Sequence, residues 1–146
     1  MKVLAKNRRA RFDYELTEEL VGGLALTGDE VKSIKAGHGS LKGSFISLRE
    51  NEAYLQGAHI TPYAKASDKA GIDPTRHRKL LLHRKEIDKL IAAKQSGLSV
   101  VPTALLLAGQ LIKIEIGVGR GKKHYDKRET IKRRDTDREV ARQLKR

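Results

Sequence analysis

The chain has 146 residues, with 31 Lys and Arg against 18 Asp and Glu and no cysteine. That length fits one domain with a modest core, and the missing cysteine excludes disulfides, thiol catalysis and cysteine-ligated zinc while fitting a reducing compartment. The charge is uneven: Lys2, Lys6, Arg8, Arg9 and Arg11 precede the first acid, residues 119–146 net +7, and residues 12–118 net only +1.

The layout is a near-neutral body with two cationic ends, which suits a polyanion such as nucleic acid. No window approaches the roughly 18 apolar residues of a membrane span, and the first residues hold no signal-like apolar stretch, so the expected location is the cytoplasm with no membrane partner. The basic tail has no broad apolar face to lie in a lipid interface.

In chain order, Phe12, Tyr14 and Leu16 alternate with Asp13, Glu15 and Thr17 as in a half-buried strand, and Gly22-Gly23 permit a bend before Leu24 to Leu26. Thr27 with Glu30 three residues later forms a capping-box signature for a short helix carrying Val31 and Ile34, which Gly37 is placed to end. Ser44 to Leu48 and Ala53 to Ile60 flank a polar turn as in a hairpin, and Ala64 to Pro74 reads as a long loop. Basic residues around Leu80 to Leu82 lead into a helix over Arg84 to Gln95 that buries Ile87, Leu90 and Ile91 and stops at Gly97.

Val100 to Leu107 is an apolar run broken by Pro102, which implies an edge or a bulge. Leu111 to Val118, with Ile112, Ile114, Ile116 and Val118 on one face, is the clearest strand. Short strands with two small helices fit a mainly β fold, an OB-fold-like antiparallel barrel, with a compact α+β sandwich as the alternative. The expected division is a core over residues 1–118, with a basic N-terminal arm, and a tail over residues 119–146. A helix from Glu129 to Leu144 would gain a few i,i+4 ion pairs, each worth about 0.2–0.5 kcal/mol. Its cations crowd together and it has few apolar residues, so the tail is expected to be disordered and to order on an anionic partner.

Enzyme signatures fail on detail. The glycines of Gly117 to Lys123 are spaced too closely for a nucleotide-binding loop and no Ser or Thr follows the lysine. The five histidines include no pair at zinc-binding helical spacing, and Glu18-Glu19 and Glu50/Glu52 have nothing to shift a pKa, so no catalytic residue, metal or cofactor is assigned. An RNA-binding adaptor, a structural ribosomal protein and an RNA-modifying enzyme remain as readings, the last without a credible acid-base pair.

Several strings in order resemble one family. Asn7-Arg8-Arg9-Ala10, Glu30-Val31-Lys32-Ser33, Ile60-x-Pro62-Tyr63, Arg78-Lys79-Leu80-Leu81-Leu82 and Gly121-Lys122-Lys123-x-Tyr125-Asp126-Lys127-Arg128 are similar to small protein B, the SsrA-binding family of bacteria. The resemblance implies an OB-fold core that binds the tRNA-like domain of transfer-messenger RNA and a tail that becomes helical in the ribosome, in the empty mRNA path near the decoding centre. It implies trans-translation, the rescue of stalled ribosomes with peptide tagging, in which alanyl-charged RNA with elongation factor Tu is met indirectly; a monomer is the simplest way to imitate part of a tRNA.

On that carry-over Asn7, Arg8, Arg9, Glu30, Lys32, Ser33, Arg78, Lys79 and Leu81 form or support the RNA-binding face. Lys122, Lys123, Tyr125, Asp126, Lys127, Arg128 and Ile131 act in the ribosome. The chain departs from the family pattern at Val21-Gly22-Gly23, where an acidic residue and Ala-Gly are usual.

Overall fold

The computed structural model describes residues 1–63 and 73–122, together with Arg134 and Arg138. Among the described residues there are nine strands and three helices: β1 (Lys2–Lys6), α1 (Arg8–Asp13), β2 (Tyr14–Leu24), α2 (Gly28–Lys35), β3 (Gly39–Ser40), β4 (Phe45–Arg49), β5 (Glu52–Gln56), β6 (His59–Ile60), β7 (Arg78–Leu81), α3 (Arg84–Gln95), β8 (Ser99–Ala108) and β9 (Leu111–Gly121). Seven strands form one sheet in the order β1-β8-β9-β2-β7-β5-β4, and β3 pairs with β6 apart from it. Every pairing is antiparallel. The sheet curls until β4 packs against β8, giving an OB-like, partly closed barrel.

Alternation builds the interior. Ile112, Ile114, Ile116 and Val118 of β9 all point inward, joined by Leu105 of β8, Leu55 of β5, Leu80 of β7 and Ile46 of β4. Each such side chain contributes about 1.5–3 kcal/mol on full burial. Helix α2 adds Ile34 to this core and α3 adds Leu90, each from a single apolar stripe. The α2 capping box is present as read: Thr27 Oγ1 accepts from the Glu30 amide, and the Glu30 carboxylate accepts from the Thr27 amide.

The β4–β5 hairpin turns on Glu50 and Asn51, both at positive φ (51° and 62°), a two-residue type I′ geometry that matches strand twist. Pro102 sits at a register shift in β8, so it marks a bulge rather than an edge.

Three expectations change. The basic N-terminal residues are not a separate arm, because Lys2–Lys6 pair with β8 as strand β1. The predicted strand at Phe12 begins two residues later, because Asn7 caps a helical turn that takes Phe12 into α1. Gly22 and Gly23 are not a bend; they lie within β2, opposite Ile114 and Lys113 of β9. A Cβ on Gly22 would stand 2.2 Å from Leu82 Cδ2, so glycine there lets Leu82 cover the strand.

The last strand also continues to Gly121, and the Lys122 amide donates to the Asp13 carbonyl at 2.8 Å. The glycines read as room for a phosphate chain therefore act first within the fold. A Cβ on Gly119 would lie 2.0 Å from the Glu15 carbonyl oxygen of β2.

Candidate nucleic-acid interface

One carboxylate organises the centre of the predicted face. Glu30, in the first turn of α2, is buried, as is Arg78 of β7, whose side chain is wholly inaccessible. Arg78 Nε donates to Glu30 Oε2 at 2.8 Å, and its terminal nitrogens donate to the carbonyls of Ala58, Pro74 and Arg76 at 2.9–3.1 Å. Arg76 closes a second ion pair on Glu30 Oε1. Burial alone would raise the Glu30 carboxyl. Hydrogen bonds from Arg76, the Thr27 amide and Arg78 outweigh it and hold the carboxyl below the ordinary carboxylate range. Glu30 and Arg78 are thus internal struts: neither presents its charged group to a ligand, and together they clamp α2, β7 and the segment before β7.

Two more predicted residues support from within. Asn7 is buried, its Nδ2 donating to the Pro102 carbonyl at 2.8 Å while its Oδ1 accepts from the Ala10 amide. Ser33 is buried and its hydroxyl donates to the Thr61 carbonyl. These contacts consume the polar groups that a nucleic-acid reading would assign outward.

The exposed members are Arg8, Arg9, Lys32, Lys79 and Leu81. Arg9 pairs with Asp13 at 3.0 Å and its guanidinium lies 5.2 Å from the Phe12 ring. Lys32 sits 5.5 Å above the ring of Tyr63, and Lys79 is 3.6 Å from Glu52. Leu81, at the end of β7, keeps 56% of its surface exposed, an uncovered apolar group beside cations. These groups, carried on α1, α2 and β7, offer phosphate-binding charge, planar groups for stacking and one apolar contact. Arg134 also lies 5.2 Å from the Phe12 ring, so Phe12 carries a guanidinium from each of two segments.

Sequence reasoning missed Arg76 as the second partner of Glu30, Phe12 as an arginine platform and Tyr63 as the ring beneath Lys32. Arg76 stood in a noted basic run, but its carboxylate lies 46 residues away and nothing local points to it. Of the predicted ribosome-facing residues only Lys122 is described; Lys123, Tyr125, Asp126, Lys127, Arg128 and Ile131 lie outside the described residues, as does the predicted loop from Ala64 apart from Asp73 and Pro74. No group of three or more His, Asp or Glu able to hold a metal occurs among the described residues. No helix among them is long and apolar enough to cross a membrane.

Residues 4–146 match the SmpB protein family. The chain belongs to the SmpB family. It is 51% identical to an SsrA-binding protein of Synechococcus sp. (strain JA-3-3Ab), over 99% of this chain and 95% of that protein. It is 48% identical to an SsrA-binding protein of Synechocystis sp. (strain ATCC 27184 / PCC 6803 / Kazusa), over 100% of this chain and 96% of the other, and 46% identical to one of Chloroflexus aggregans (strain MD-66 / DSM 9485), over 99% and 92%. A solved chain from "tmRNA-SmpB: a journey to the center of the bacterial ribosome" superposes with a TM-score of 0.66 at 44% identity, covering 82% of this chain and 84% of its own. The SmpB match begins in β1 and runs through the whole barrel, so the buried Glu30–Arg78 pair and the exposed Arg8, Arg9, Lys32 and Lys79 all lie within it.

Proposed function

We propose that this chain is a non-enzymatic RNA-binding adaptor that binds the tRNA-like domain of transfer-messenger RNA and delivers it to stalled ribosomes for trans-translation in the cytoplasm. Membership of the SmpB family across residues 4–146 carries the reading. The arrangement of the body supports it: buried Asn7, Glu30, Ser33 and Arg78 fix the frame, and Arg8, Arg9, Lys32, Lys79 and Leu81 are the groups left outside. Such a division needs no catalysis, since recognition rests on charge and contact shape.

The basic C-terminal residues complete the proposal. Lys122, Lys123, Tyr125, Asp126, Lys127, Arg128 and Ile131 would engage the small subunit near the decoding centre and along the empty mRNA path, so that only ribosomes lacking downstream message are served. Elongation factor Tu would be met indirectly, through the alanyl-charged RNA, and a monomer suffices for part of a tRNA-like shape.

A gel-shift competition tests RNA recognition. Transfer-messenger RNA is expected to displace a labelled copy of itself at concentrations where bulk tRNA and duplex RNA do not. Equal competition by all three would remove specific recognition.

A further inference from the structure

Between β1, α1 and the residues after β3 runs a groove with an apolar floor of Leu4, Ala5 and Leu41 and a rim that includes Lys6, Arg8 and Lys42. No Asp or Glu lines it. Several cations elsewhere in the body are neutralised in place: Arg11 is held by Glu19 and Glu115, Arg76 and Arg78 by Glu30, Arg84 by Asp88, and Lys89 by Glu18. Lys6, Arg8 and Lys42 are exposed and, among the described residues, none makes an ion pair or side-chain hydrogen bond. Three unanswered cations around one concave, acid-free surface concentrate positive potential where the net charge of the body would not suggest it.

We infer that this groove is a track for the sugar-phosphate backbone of RNA, with Lys6 and Lys42 as phosphate contacts beside Arg8. The inference deepens the RNA-binding reading and rests on it, adding two residues that the family resemblance did not supply. The occupant is a polyphosphate strand because the rim offers point charges while the floor offers only aliphatic surface, which can pack against ribose but cannot read a base edge. A neighbouring depression shares Arg8 and Arg9 with the groove and is lined further by Phe12 and Arg134, which extends the basic surface beyond α1.

The competing physical account is that Lys6 guards the unpaired edge of β1 against strand addition, as edge lysines commonly do. Fluorescence anisotropy with labelled transfer-messenger RNA across a salt series separates the two, using the Lys6→Ala/Lys42→Ala double variant and a Lys85→Ala/Lys94→Ala control that removes equal charge from α3. The groove variant is expected to lower the log-log salt slope by about 1.4–1.8, two contacts at about 0.7–0.9 each, with an unchanged melting temperature and little slope change in the control. Equal slopes for the two variants would overturn the phosphate track. So would an unchanged slope with self-association of the groove variant in sedimentation, which would assign the lysines to edge protection. Repeating the series on bulk tRNA keeps the outcomes apart: loss of discrimination by the unmodified chain defeats specific recognition, whereas the slope difference between variants tests the groove on either RNA.

Discussion

Arg78 keeps its guanidinium wholly inside the body, and Glu30 is the group that makes this tolerable. Replacing Glu30 with alanine leaves a buried cation without its counter-charge and is expected to cost about 3–5 kcal/mol in urea denaturation. Because the Glu30 carboxyl is held below its ordinary range in the fold, its ionic contribution is complete at neutral pH and is lost as pH falls through that lowered value. The stability gap between the unmodified chain and Glu30→Gln should therefore narrow on acidification; a gap constant from pH 7 to pH 3 would show that the charge is not what matters. Gly119 has no latitude either, because what a side chain there would meet is backbone. Alanine there would press its methyl into the Glu15 carbonyl, and an overpacking cost of about 1–3 kcal/mol is expected, seen as a lowered melting temperature.

At the level of elements, α2 has only eight residues and relies on its cap and its packing. Thr27→Ala should cost about 0.5–2 kcal/mol of stability, measured by chemical denaturation, and should loosen Lys32 on the same helix. That cap was legible because its two partners are three residues apart, and α3 and β9 were legible because period 3.6 and period 2 are local signals. Helix α1 was not. Its six residues carry no apolar stripe, and Asn7 is committed to capping by a bond to the Pro102 carbonyl, 95 residues away. Gly22-Gly23 misled for a related reason: glycine signals a bend locally, but here it makes room for Leu82 of a distant segment. The candidate face was readable as a set of residues through its motifs. Which members face outward was not, because the burial of Arg78 is decided by Glu30 and by carbonyls brought together only in the fold.

For the whole molecule, the barrel presents exposed cations, and the proposed function gives the basic C-terminal residues a second role, on the ribosome. The structure moves the point at which the two can be separated. Removal of everything after Val118 would strip Gly119, Arg120 and Gly121 from their pairing with Leu16, Glu15 and Tyr14, whereas removal after Lys122 keeps β9 and its bond to Asp13. The chain ending at Lys122 is expected to melt cooperatively and to bind transfer-messenger RNA with a reduced salt slope, while losing tagging. The most direct measurement is peptide tagging in a reconstituted translation system stalled on message without a stop codon and lacking any other SsrA-binding protein. The full chain is expected to support tagging only when transfer-messenger RNA is present, and the chain ending at Lys122 is expected not to support it; no tagging by the folded, RNA-bound full chain would contradict the adaptor function.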